Sequence, residues 1–134
     1  MKDCLFCKII KGEIPSYKIY ENEDVYAFLD IADDFEGHTV VIPKKHYESL
    51  LDCEANALNK LMQSVQLISR HYVKECGYDG INILNNSGES AHQSVKHLHI
   101  HIVPRKNNDN MFMYAKQHKK NSDFQKISQQ LKLK

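Results

Sequence analysis

The sequence contains no tryptophan, three prolines and five glycines among 134 residues. With so few chain breakers, no internal repeat and no Pro/Gly/Ser-rich stretch, collagen-like, solenoid and disordered classes are excluded, and the length suits one folding unit. Uninterrupted aliphatic runs are short, Val40 to Ile42 being representative, whereas a bilayer-spanning helix needs roughly 18 apolar residues. No membrane segment is expected. Neither sign of charge dominates: 18 Lys/Arg against 17 Asp/Glu give a net +1, without the basic footprint of a nucleic-acid binder. The opening residues include Lys2, Asp3 and Lys8 in place of an apolar stretch followed by small residues. No secretory signal is read there, and the expected location is the cytoplasm. Cysteine is scarce as well. Cys4, Cys7, Cys53 and Cys76, lacking an export signal, read as thiols or metal ligands rather than as two disulfides.

The elements that are present alternate in type. Lys18 to Glu21 and Val25 to Leu29 flank the polar segment Glu21-Asn22-Glu23-Asp24 and read as a hairpin. His38 to Ile42 is a β-branched strand closed by Pro43, which cannot continue a central ladder. Between Cys53 and Cys76, the apolar residues Leu58, Leu61, Met62, Val65, Ile68 and Tyr72 recur at helical spacing, with Asp52 as N-cap and Gly77 just past the end. Gly80 to Leu84 alternates as a strand, Asn85 to Ala91 is turn material, and Val95 to Val103 alternates again up to Pro104. A last helix is expected from Ser122 to Leu131, held by Phe124, Ile127 and Leu131. Hairpins with one long helix between strands predict an antiparallel α+β domain. Charge is divided unevenly along it. Residues 1–104 hold 10 Lys/Arg against 15 Asp/Glu, and residues 105–134 hold 8 against 2. The tail is therefore basic, either as a solvated surface or as a cover for an anionic ligand or an acidic partner face.

Chemistry concentrates in His97-Leu98-His99-Ile100-His101-Ile102-Val103. In a strand this spacing sends Leu98, Ile100 and Ile102 into the core and lines three imidazoles along the opposite face, about 6.6 to 7 Å apart. A slip of one residue would exchange the two sets, so the register is pinned. Three readings are open: histidines on a solvated face, a metal site using two of them, or phosphoryl chemistry. In the last, a neutral, exposed imidazole is the nucleophile and a neighbour stabilises charge. The preceding loop, Asn85 to Ser94, offers amide and hydroxyl donors with Gly88 for close approach, which suits a phosphate. Cys4-x-x-Cys7 is half a zinc site, a redox pair without the usual preceding strand, or two core thiols.

These residues resemble the histidine triad (HIT) family, in particular bacterial-type members of its nucleoside phosphoramidase branch. The likeness rests on the triad block together with Cys4 to Ile10, Gly12 to Pro15, Ala27 to Ile31, Gly37 to His46 and Gln93 to Val95. It covers residues 4–105, so a triad domain is expected over residues 1–105. A basic tail, residues 106–134, packs on it or extends from it. The resemblance implies a HIT-like five-stranded antiparallel sheet with one long helix, and a homodimer; the apolar pattern beyond it adds the short C-terminal helix.

It also implies roles. His99 would attack the α-phosphorus of a purine nucleotide, adenosine or guanosine, and form a nucleotidyl-histidine that water hydrolyses, releasing the monophosphate from a phosphoramidate. His101 with Asn86, Gln93 and Ser94 would hold phosphate oxygens, and His38 stands where the family keeps a histidine beside the triad. Asp30 would accept from the ribose hydroxyls, with Phe6, Ile9, Phe28, Ile31 and Val40 around the base. Cys4, Cys7, His46 and His97 would hold one structural zinc ion per chain, and no catalytic metal is required. Plainer readings stand beside these: Phe6, Ile9, Phe28 and Val40 as core, Asp30 as a turn former. Dinucleoside polyphosphate hydrolysis, a zinc metallohydrolase and a nucleotide-binding scaffold with little turnover are the rival functions. Two departures from the family pattern stand out. His92 replaces a glycine, which predicts a strained backbone, and Lys96 replaces an aromatic residue.

Overall fold

Val25–Leu29 is apolar at every position and Thr39–Pro43 at all but the first, the mark of strands covered on both faces rather than one. The computed structural model describes residues 3–111 and 120–133. Helix α1 (Leu5–Ile10) precedes strands β1 (Lys18–Glu21), β2 (Val25–Leu29) and β3 (Thr39–Pro43). Helix α2 (Ala55–Glu75), strand β4 (Gly80–Leu84), a short 3-10 turn (Glu89–Ala91), strand β5 (Ile100–Arg105) and helix α3 (Phe124–Leu131) follow. The strands make one antiparallel sheet in the order β1-β2-β3-β5-β4. This is the expected five-stranded α+β architecture.

Because successive strand residues face opposite ways, each central strand feeds two cores. Val25, Ala27, Val41, Leu98, Ile100 and Ile102 pack with Leu61, Val65, Ile68 and Tyr72 of α2. Tyr26, Phe28, Val40 and Ile42 pack with Phe6, Cys7 and Ile9 of α1. A helix of 6 residues is too short to persist by propensity. Its place depends on burying Phe6 and Ile9, at about 1.5–3 kcal/mol for each fully buried side chain. Among the described residues no helix is long and apolar enough to cross a membrane.

Several boundaries differ from expectation for identifiable reasons. Helix α2 starts at Ala55 with Glu54 as N-cap and no side-chain cap. Asp52 instead accepts from the Glu48 and Ser49 amides at 3.1 and 2.9 Å, closing the turn ahead of the helix. Gly77 does stop the helix, at φ +83°. Met62 is exposed, and Ser64 takes a place on the buried face. His38 lies just outside β3, which extends through Pro43. Strand β5 starts at Ile100 instead of Val95 and runs through Pro104 to Arg105. The Arg105 carbonyl accepts from the Asp79 amide at the end of β4, so the Pro104 nitrogen faces the β3 side, where pairing has already ended at Ile102. The missing N–H therefore costs no ladder bond. The last helix starts at Phe124 with Asp123 as its cap. Phe124 and Leu131 are 80% and 76% exposed, so neither residue holds it. The part of the basic tail at residues 112–119 lies outside the described residues.

Candidate functional site

The Cys-x-x-Cys turn opens α1. Cys4 is its N-cap, with Sγ accepting from the Cys7 amide at 3.3 Å, and both sulfurs approach the same two histidines. Cys4 Sγ lies 3.3 Å from His97 Nδ1. Cys7 Sγ lies 3.6 Å from that nitrogen and 3.5 Å from His46 Nδ1, and the two nitrogens are 3.1 Å apart. Tetrahedral bonds of about 2.3 Å to sulfur and about 2.0–2.1 Å to nitrogen correspond to ligand separations of about 3.3–3.8 Å. Four of the six separations are thus close to the edge lengths of a zinc tetrahedron, and all six lie within 4.8 Å. His97 Nε2 donates to the Pro43 carbonyl at 2.9 Å, which leaves Nδ1 bare and aimed at the sulfurs, as an outer carbonyl does for a metal-binding histidine. Burial, reinforced by His46 and His99 nearby, holds the His97 pKa down at about 4, so the ring is neutral. The donor set fits a Cys2His2 zinc ion. Cys53 and Cys76 stand apart from it.

The other two triad imidazoles line a cavity on the α1 side of the sheet. His99 Nδ1 donates to the His97 carbonyl at 2.7 Å, and Asn85 Nδ2 donates to the His99 carbonyl at 3.0 Å. Ring and backbone are both fixed, and Nε2 keeps its lone pair. The ring is 3% exposed, not the exposed imidazole expected, because Phe6 of α1 lies edge-on against it with centroids 5.1 Å apart. Burial also lowers its pKa, keeping the imidazole neutral. His101 sits 4.9 Å from His99 between ring centroids. Burial first, then the neighbouring His99 and His38, hold it at about 4. Its Nδ1 meets His38 Nε2 at 2.9 Å, and His38 Nδ1 donates to Asp34 Oδ1 at 2.7 Å.

A cavity of about 400 Å³ opens in front of these rings, within the size range of small-ligand sites. Phe6, Ile9, Phe28 and Val40 supply apolar lining, and Ser94, His99 and His101 supply polar lining. Asp30 and Ile31 also border it, Ile31 at the rim with 81% exposure. Asp30 Oδ1 accepts from the Ala32 amide at 2.9 Å, while Oδ2 lies 3.8 Å from His38 Nε2. The carboxylate is thus a turn former that still presents an oxygen to the site. Asn86 and Gln93 do not line the cavity. The Gln93 amide donates to the Glu48 and Val95 carbonyls at 2.6 and 2.9 Å and accepts from the Gly88 amide at 2.9 Å, so it builds the loop that carries Ser94. His92 has φ +65° and ψ +38°, the left-handed conformation expected from its replacement of glycine. Lys96 is exposed. Asp34, Asn85 and Pro43, which fix the His38 ring, the His99 carbonyl and the His97 ring, carry no sequence signal of that role.

Residues 11–108 match the HIT domain. A Streptococcus mutans structure superposes with a TM-score of 0.85 at 45% identity, covering 97% of this chain and 82% of that one. Adenosine 5'-monophosphoramidase HNT1 of Saccharomyces cerevisiae is 44% identical over 103 residues, 77% of this chain and 63% of that protein. A Zn-bound histidine triad family protein from Mycobacterium smegmatis shares 36% identity with a TM-score of 0.78, covering 87% of this chain and 85% of that one.

Proposed function

This chain belongs to the HIT family, and from that premise we propose that it hydrolyses purine nucleoside 5'-phosphoramidates or related nucleotides through a nucleotidyl-histidine at His99. The observation that carries this reading is the bare Nε2 of a neutral His99, fixed by the 2.7 Å bond from Nδ1 to the His97 carbonyl, beside an apolar cavity with one carboxylate at its border. A buried neutral imidazole is a nucleophile whose lone pair is not lost to a proton at pH 7. The base lies among Phe6, Ile9, Phe28 and Val40, Asp30 Oδ2 accepts from the ribose, and Ser94 with the loop amides faces the α-phosphate. The His99 lone pair forms the bond to phosphorus as the bond to the leaving nitrogen breaks, and His101 passes that nitrogen its proton. Water then attacks the phosphorus and gives its proton back to His101, freeing His99 and the monophosphate. The relative named as an adenosine 5'-monophosphoramidase supports the substrate class.

Zinc, when bound by Cys4, Cys7, His46 and His97, supplies a cross-link between α1 and the approach to β5 and takes no part in these steps. All four cysteines are unpaired thiols, which suits a reducing compartment, and the cytoplasm is the location proposed. The function is tested by turnover of adenosine phosphoramidate against diadenosine polyphosphates with wild type and His99→Ala. Wild type is expected to prefer the phosphoramidate. The variant is expected to lose at least about 10³ in kcat, on the order of 4 kcal/mol of barrier, while still binding AMP. Turnover of His99→Ala within tenfold of wild type would overturn the assignment.

A further inference from the structure

We propose that Asp34 is a positioning residue that decides which nitrogen of His101 offers a proton to the nucleotide. The inference rests on the function proposed above and extends it to a residue on the loop between β2 and β3. Three groups form a line: Asp34 Oδ1 is 2.7 Å from His38 Nδ1, and His38 Nε2 is 2.9 Å from His101 Nδ1. Asp34 accepts from His38 Nδ1–H, so His38 has two states at its other nitrogen. If His38 is neutral, Nε2 is bare and must accept from His101 Nδ1–H, leaving His101 Nε2 without a proton. If His38 is an imidazolium, Nε2–H donates to His101 Nδ1 and the His101 proton resides on Nε2, the nitrogen that is not engaged by His38. Only the second state can protonate a leaving amine. A carboxylate at 2.7 Å is the countercharge for that imidazolium, and the interaction is mutual: against the effect of burial, His38 holds the Asp34 carboxyl below its ordinary range.

The surroundings leave this role to few groups. Around the His38 ring are Asp34, the Asp30 oxygen at 3.8 Å, His101 from β5 and the edge-on ring of Phe35. Glu36 is turned away, accepting from the Tyr78 hydroxyl at 2.7 Å. Asp33 is exposed, with φ +55°, and is not among the ion partners of His38. Proton balance follows directly. As the phosphorus–nitrogen bond breaks, His101 Nε2–H goes to the leaving amine and the His38 Nε2 proton moves to His101 Nδ1, so His38 becomes neutral. In the second step the attacking water returns a proton to His101 Nε2, and the Nδ1 proton returns to His38. Asp34 remains a carboxylate throughout.

The test compares wild type, Asp34→Asn and the control Asp33→Asn in two measurements. Nitrogen-15 NMR of the histidine rings, without substrate, is expected to show His101 protonated at Nε2 in wild type and Asp33→Asn, and shifted toward Nδ1–H in Asp34→Asn. Kinetics with adenosine phosphoramidate from pH 5 to 9 are expected to show a tenfold or greater loss of kcat at pH 7.5 in Asp34→Asn with KM within about twofold. Because the countercharge beside the His38 ring is gone, the alkaline limb of kcat should move to lower pH. An Asp34→Asn enzyme with wild-type His101 signals and a wild-type pH profile overturns the proposal. A wild type that shows the expected ring states but no turnover of any nucleotide overturns the function and leaves the hydrogen-bond device standing.

Discussion

Asp30 illustrates how one side chain at this site holds two commitments. Its Oδ1 closes a turn with the Ala32 amide and its Oδ2 faces His38 and the cavity. Asn at this position can keep the turn bond through its carbonyl but loses the charge. Asp30→Asn is therefore expected to retain its melting temperature and to bind AMP more weakly, by tenfold or more, than the accompanying change for 2'-deoxy-AMP. The magnitude follows from a charge-assisted hydrogen bond of about 1.5–3 kcal/mol. Calorimetric titration with both nucleotides checks it, and an equal loss for both with a lowered melting temperature would make the residue purely structural. The sequence exposes such residues unevenly. The period of two in His97 to Val103 reveals the two faces of the strand, because alternation is a local property. The contact of Asp34 with His38 and the use of the Gln93 amide for loop bonds depend on how loops close, and nothing in the residue spacing announces them.

At the scale of elements, α1 is the most dependent part of the fold. Its 6 residues are attached through Phe6 and Ile9 above the sheet and through the Cys4–Cys7–His46–His97 cluster. The purified protein is expected to carry close to one zinc per chain. Cys4→Ser combined with Cys7→Ser is expected to remove it and to lower the melting temperature by several degrees, since one lost kcal/mol already shifts a domain of this size by about 2–8 °C. Elemental analysis with thermal melts checks both. Stoichiometric zinc in the double variant, or none in the parent, would contradict the site. The hairpin, β4 and the long helix were legible because their apolar spacing is local and strong. Strand β5 begins five residues later than the alternation, because residues 95–97 bend and the Leu98 amide donates to the Tyr47 carbonyl instead of to a neighbouring strand. It runs past Pro104 to Arg105 because β3 pairing ends at Ile102, a feature of the sheet that residue spacing does not carry. His92 is the opposite case: a non-glycine residue in the left-handed region was anticipated from a single substitution.

For the whole molecule, two surfaces are unspent. Met62 and Val73 of α2 and Ile83 of the edge strand β4 are exposed apolar residues. A two-fold contact over α2 and β4 would cover them together and end the sheet edge. Sedimentation at micromolar concentration is expected to give a dimer mass, and a monomer would contradict the homodimer. The uneven charge, with 8 of 18 Lys/Arg after residue 104, was plain in the sequence, while the destination of that tail was not, because charge carries no address. The central claim concerns covalent chemistry at one nitrogen, so the decisive measurement is chemical. Enzyme mixed with adenosine phosphoramidate, quenched within milliseconds and analysed by intact mass and peptide mapping is expected to carry one adenylate on His99, formed and lost at the rate of turnover. Full turnover with no adenylate trapped at any time, or an adenylate on another residue, would contradict the account.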